Sequence, residues 1–336
     1  MKQVVTFGEI MMRLSPPLNH RFAQASGFDI TYGGGDANVG AALAGLGVPA
    51  AHVTCFPDND LGRAAAAHFR ALGVNLDATV YEGARLGLYF LEAGAGMRPS
   101  KVVYDRASSA FAHLNPAKFN WNEILKDAGW LHWTGITPAI SAAAAEATRQ
   151  AVAAARRLGL TVSADVNYRR NLWQYGQPAQ AVMPELVAGC DVLVCSENDA
   201  EDLFGIVPEA GADNKFVSVA GQVMALFPQV RQLITTRRST HSASHNGLQG
   251  IAYDGRQFVE TTTYDLNPIV DRIGGGDAFM AGFIYGSLAY DNLPQALGFG
   301  VAASALKHTI HGDINRVTVA EVEEIMKGNT SGRLVR

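Results

Sequence analysis

The sequence predicts an α/β protein with a central, mostly parallel β-sheet, helices on both of its faces, and a small extra β-sheet lid. Three observations lead there. Short β-rich runs alternate with Ala-rich helical stretches along most of the 336 residues. Glycines stand where those helical stretches should end. Two segments, 10–33 and 86–110, break the alternation with strand and hairpin patterns.

Taken in order, VVTF reads as a strand, AALAGLG as a helix, AHVTCF as a strand and LGRAAAAHFRALG as a helix. After residue 130, WLHWTG precedes a long helix from Ser141 to Leu158 that Gly159 stops. LTVSADV, DVLVC and QLITT are further strands, and a helix starts near Gly276. Strands spaced by helices imply parallel pairing. No internal repeat or low-complexity linker is evident, so 1–336 reads as one domain whose excursions, 10–33 and 86–110, supply the lid strands.

Bulk properties exclude several classes. A net charge of −4 without a run of Lys or Arg argues against nucleic acid and against an anionic membrane surface. The apolar start MKQVVTFGEIMMRL is interrupted by Glu9 and Arg13, which fits neither a signal-peptide core nor a membrane span. A cytoplasmic protein is expected. Three cysteines suggest no disulfide framework, and Cys190 and Cys195 read as small buried apolar groups. His308 and His311 read as structural or surface residues, since no third metal ligand accompanies them.

The most informative segment is Asp271-Arg272-Ile273-Gly274-Gly275-Gly276-Asp277, followed by a helical pattern. Glycines let backbone N–H groups approach an anion, and a helix start adds unpaired N–H groups and the positive end of its dipole. Phosphoryl transfer needs such a cradle plus a carboxylate to take the hydroxyl proton, and Asp277 stands where that carboxylate belongs. The helix start is expected to keep it ionised, at some cost in basicity. The plainer reading is a tight turn whose Asp caps a helix.

A second Gly-rich turn, Tyr32 to Asn38, offers backbone for a polyhydroxy ligand, with Asp36 and Asn38 supplying hydrogen-bonding groups. Rival nucleotide motifs fail here. Asn38 stands where a dinucleotide fingerprint needs glycine, and Ala41 and Ala42 stand where a P-loop needs Lys and Ser or Thr.

Together the two segments resemble the signatures of ribokinase-like (PfkB) carbohydrate kinases over essentially the whole chain, with Arg272 and Gly275 as variations on D-T-x-G-A-G-D. The resemblance implies a ribokinase-like fold, an anion hole from Gly274, Gly275 and Gly276, Asp277 as catalytic base, Mg2+ with ATP, and a monovalent cation such as K+ near the anion hole. Within that family GEIMMRLSPP, YGGGDANVG, LGLYFLEAGAGMRPSKVVYDR, DVNYRRNLW and HTIHGDIN look like 2-keto-3-deoxygluconate kinases. A sugar acid carries a carboxylate that guanidinium groups bind bidentately, which makes Arg106 and Arg169 candidates.

By resemblance, Gly34, Asn38, Tyr89, Tyr104, Arg106, Arg169 and Asp313 contact the substrate beside Asp277. Asn167, Ser196, Thr236 and Arg237 contact the nucleotide with Gly274 and Gly276. Ser196-Glu197-Asn198-Asp199 replaces the usual Asn-x-x-Glu, leaving Asp199 as a water-bridged metal contact. Thr235 to Asn246 replaces the usual Lys-x-Gly-x-x-Gly segment, with Arg237 in place of its cation, so the donor's base is left open.

The implied reaction is ATP-dependent phosphorylation of the C6 hydroxyl of a sugar acid, 2-keto-3-deoxygluconate first. Fructokinase or another hexose kinase is the alternative, and a non-catalytic carbohydrate sensor is another. A homo-oligomer paired through the lid sheet is expected.

Overall fold

In the computed structural model, which describes residues 1–332, the first strand, β1 (Gln3–Phe7), already divides the molecule in two. Alternate residues of a strand face opposite sides. Val5 and Phe7 enter one apolar layer, while Val4 enters the other. The remaining strands are β2 (Met11–Ser15), β3 (Asp29–Gly33), β4 (Ala50–Val53), β5 (Cys55–Phe56), β6 (Val80–Tyr81), β7 (Leu88–Glu92) and β8 (Lys101–Asp105). They continue as β9 (Ala128–Thr134), β10 (Thr161–Asp165), β11 (Val192–Val194), β12 (Gln232–Ser242), β13 (His245–Tyr253), β14 (Phe258–Glu260) and β15 (Tyr264–Leu266).

The main sheet runs β14-β13-β12-β11-β10-β9-β1-β4, with β15 also on β13. Pairing is parallel from β4 across to β12 and antiparallel beyond it. Helices Ala142–Leu158, Ala179–Val187 and Lys215–Leu226 cover one face. Helices Gly35–Gly45, Gly275–Ala289 and Leu293–Lys307 cover the other. The long helix has the predicted ends: the Ser141 side chain accepts from the Ala144 N–H, and Gly159 closes it at φ +72°.

The helix Leu293–Lys307 escapes a periodicity search because it is buried on nearly every side, so no polar stripe marks it. The segment from Thr235 to Asn246 is the outer half of β12, a turn and the start of β13. It is therefore a hairpin continuing the sheet. Among the described residues no helix is long and apolar enough to cross a membrane.

A four-stranded sheet, ordered β3-β2-β7-β8, stands beside the main one. Its strands fall within the two interrupting segments, β2 and β3 at the two ends of 10–33, and residues 16–28 between them carry only a short 3-10 turn. Register places Thr31, Arg13, Tyr89 and Tyr104 in one cross-strand row. The adjacent row, Ile30, Leu14, Phe90 and Val103, points the other way, and Ile30 and Val103 are more than half exposed.

Candidate active site

A cleft of about 600 Å³ opens where β10 and β11 end, roofed by the Tyr89 and Tyr104 face of the small sheet. Ligands of open α/β sheets gather at such carboxyl ends. Gly34, Asn38, Tyr89, Tyr104, Arg106, Asn167, Arg169, Asp199, Thr236, Gly274, Gly275, Gly276, Asp277 and Asp313 all line it. Ser196 and Arg237 do not.

Asp277 is the third residue of helix Gly275–Ala289, whose N-cap is Gly274 at φ +80°. A Cβ on Gly274 would lie 1.7 Å from the Asp313 carbonyl oxygen, so only glycine fits that turn. Asn38 joins the two Gly-rich segments. Its Oδ1 accepts from the Gly34 N–H at 3.2 Å, and its Nδ2 donates to Asp277 Oδ2 at 2.7 Å. Asn38 thus aims the carboxylate, a task the sequence reading had not given it.

The cost in basicity expected at Asp277 is reversed. Burial pushes its pKa up to about 6, with Asp313 adding to the rise, while the Asn38 hydrogen bond, Lys307 and Arg169 oppose it. Desolvation therefore outweighs the helix start. The group still loses its proton below neutrality and is more basic than an ordinary Asp, which suits a proton acceptor.

Two predicted substrate contacts have their polar ends already engaged. The Tyr89 hydroxyl donates to Asp313 Oδ2, and Arg13 Nη1 donates to Asp313 Oδ1 at 2.6 Å. Arg13 Nη2 also reaches Asp271 at 2.8 Å. Burial alone would lower the Arg13 pKa, but Asp313 and Asp271 outweigh it and raise it. This buried network ties the small sheet to the phosphate loop.

Arg106 is likewise committed. Its Nε donates to Glu9 Oε2 at 2.8 Å, its Nη2 donates to the same oxygen, and its guanidinium lies 5.8 Å from the centre of the Tyr104 ring. Glu9 Oε1 is buried without a partner. By contrast, among the described residues no carboxylate lies within salt-bridge distance of Arg169, Arg238 or Arg272, all of which line the cleft. Arg238 is held below its ordinary pKa by desolvation and by its neighbours Arg272 and Arg169.

Strand and helix geometry turns two of the expected nucleotide contacts away from the cleft. Arg237 leaves β12 away from the cleft and meets Glu197 at 3.3 Å, so the cation facing the cleft is Arg238, one residue on. Ser196 caps helix Glu197–Phe204: its Oγ accepts from the Asp199 N–H and donates to Asp199 Oδ2 at 2.6 Å. It orients Asp199 and does not face the cleft. Asn167 sits at φ +38° on the wall, its N–H donating to Asp165 Oδ1 at 3.1 Å.

Sequence reasoning missed Asp165, the last residue of β10. Burial pushes its pKa up to about 7, with Asp277 and Asp199 contributing. An acidic residue at the carboxyl end of a parallel strand was the available signal. Asp36 also lines the cleft, but its Oδ2 accepts from Thr134 and Thr137 at 3.1 and 2.9 Å and its Oδ1 has no partner. Burial drives its pKa up to about 8. The cysteines are free and buried, as expected for apolar packing. His308 is buried behind Gly275, while His311 is exposed.

A cradle of glycine amides, a raised carboxylate and three guanidinium groups without a carboxylate partner in one cleft define a phosphotransferase of polyhydroxy substrates. The chain belongs to the pfkB family of carbohydrate kinases, whose model matches residues 1–319. Its fold is ribokinase-like. It is 42% identical to the crystal structure of 2-dehydro-3-deoxygluconokinase from Thermotoga maritima, with a TM-score of 0.93 over 97% of this chain and 98% of that one. It is 34% identical to 2-dehydro-3-deoxygalactonokinase of Haloferax volcanii over 98% of both chains. Fructokinase-1 of Oryza sativa subsp. japonica is 30% identical over 96% of this chain and 97% of its own.

Proposed function

We propose that the protein transfers the γ-phosphoryl of ATP to the C6 hydroxyl of 2-keto-3-deoxygluconate. The observation that carries this is the placement of Asp277 beside Gly274, Gly275 and Gly276 in a cleft that also holds the uncommitted Arg169. The activity for which the Thermotoga relative is named supports the sugar acid, and that of the Haloferax relative supports the wider class of 2-keto-3-deoxy acids.

In this reading the Gly274 to Gly276 amides hold the γ-phosphoryl, and Arg238 and Arg272 face the nucleotide phosphates. Arg169 takes the sugar acid carboxylate. Arg106, tethered to Glu9, fixes the wall and the Tyr104 ring against which the sugar lies. Asn38 holds Asp277 toward the C6 hydroxyl, and Asp277 takes its proton as the oxygen bonds to phosphorus.

Asp165 and Asp199 present carboxylate oxygens to the cleft, a donor set that fits Mg2+. Among the described residues no three acidic, His or Cys side chains converge to cage an ion, so Asp165 and Asp199 would hold it with the help of water and the nucleotide. Bound there, Mg2+ would supply positive charge against the nucleotide phosphates. A monovalent cation forms no part of this reading, because the Asp271 carboxylate beside the glycine loop already receives Arg13 and the Gly312 and Ile273 N–H groups.

The apolar row Ile30, Leu14, Phe90 and Val103, exposed at Ile30 and Val103, supports a homo-oligomer paired through the small sheet. Light scattering on an Ile30→Lys, Val103→Lys variant tests that.

The substrate assignment is tested by coupled assay with ATP and Mg2+ on 2-keto-3-deoxygluconate, its galactonate epimer, fructose and ribose. Turnover on a keto-deoxy acid is expected to exceed that on fructose by about a hundredfold. Equal or better turnover on fructose would sink it.

A further inference from the structure

Lys307 is buried at 0% exposure, and nothing in the mechanism uses it directly. A buried ammonium without a carboxylate in contact is costly unless its field is needed nearby. Its Nζ has one directed partner, donating to the Ile310 carbonyl at 3.0 Å. Asp271, Asp313 and Asp277 surround it at longer range and favour its charge, while burial pulls its pKa down.

The segment that carries Lys307 is the back wall of the phosphate loop. Ser304 Oγ donates to the Gly275 carbonyl at 2.7 Å, the Val270 N–H donates to the His308 carbonyl at 2.8 Å, and the Gly312 N–H donates to Asp271 Oδ2 at 3.1 Å. Lys307 is also the last residue of helix Leu293–Lys307, whose negative dipole end faces the same ground. Asp271, Asp313 and a helix C-terminus beside an anion hole oppose the charge the hole must receive. Arg13 and Lys307 are the two cations that offset them.

We propose that Lys307 is the resident monovalent cation of this enzyme: its ammonium supplies, from behind the Gly274 to Gly276 amides, the positive field for which resemblance to the family leads one to expect K+. The oxygens at that place do not fit a free ion. Ile310 O receives Lys307 Nζ, Asp271 Oδ2 receives Arg13 and Gly312, and Asp271 Oδ1 receives the Ile273 N–H. Lys307 acts through the loop, as a positioning residue. The inference rests on the phosphotransfer reading of the cleft.

The test compares KCl with tetramethylammonium chloride at equal ionic strength. Wild-type kcat should agree within about twofold in the two salts, and its melting temperature should not respond to K+. Lys307→Ala should lose kcat by about a hundredfold in tetramethylammonium, the scale of one lost oxyanion-type donor, with KM for ATP little changed. K+ or NH4+ should then restore part of that kcat saturably and raise the variant's melting temperature.

A wild type whose turnover or melting depends on K+ overturns the proposal, and so does a Lys307→Ala variant with normal kcat. If Lys307→Ala does not fold, the wild-type salt comparison decides alone. If no sugar is turned over in any salt, the substrate reading fails, and the melting responses of wild type and variant to K+ still decide this one.

Discussion

Asn38 Nδ2 donates to Asp277 Oδ2 at 2.7 Å, joining side chains 239 residues apart in sequence. The bond favours the charged carboxylate, since it is among the influences that hold the Asp277 pKa down against burial. Removing it should raise that pKa above about 6. In Asn38→Ala the acid limb of the kcat–pH profile is therefore expected to move to higher pH, with kcat at pH 8 recovering toward wild type. A limb that stays in place shows that Asn38 does not tune the base.

Asp277→Asn keeps the shape and removes the proton acceptor. Its kcat should fall by about 10²- to 10⁴-fold while ATP binding, read by calorimetry, stays within about threefold. Turnover near wild type would remove Asp277 from the mechanism.

Arg106 and Glu9 form a buried pair, and breaking one side leaves an uncompensated charge. Arg106→Ala should cost about 3–5 kcal/mol in denaturant unfolding, and a Glu9→Leu, Arg106→Leu double variant should recover much of it. Equal losses in single and double variants would show that packing, and not the orphaned carboxylate, sets the cost.

Because Arg238 faces the cleft and Arg237 faces Glu197, the two neighbours should separate kinetically. Arg238→Ala should raise KM for ATP by about tenfold or more, the scale of one charge-assisted hydrogen bond, whereas Arg237→Ala should change it less than about twofold. Steady-state kinetics with ATP varied provides the measurement.

Asp36 has a folded-state pKa pushed up to about 8, against an ordinary Asp value near 4. The folded protein holds that proton more tightly than the unfolded chain, so this group's contribution to stability falls as pH rises between those two values. Asp36→Asn removes the penalty. The variant should gain melting temperature relative to wild type at pH 8 and gain little at pH 5.

The parallel architecture was legible because strands and helices with separate periods alternate, and the ends at Ser141 and Gly159 carry their own chemistry. Asp277 and its glycines were legible because their function needs contiguous residues. What the sequence hid is non-local. Nothing near Arg106 announces Glu9, nothing near Tyr89 announces Asp313, and whether position 237 or 238 faces the cleft depends on the phase of a strand. The sign of the Asp277 shift was missed for a like reason: burial is contributed by elements far along the chain.

The Asp313 carbonyl packs so closely on Gly274 that no Cβ fits between them, and Ser304 grips the Gly275 carbonyl from the same side. The loop that would hold phosphate is thus given its form by residues made after it. Its shape is therefore a tertiary property: the Gly-rich run does not set the loop by itself, and the loop takes its form only where residues 304–313 pack against it.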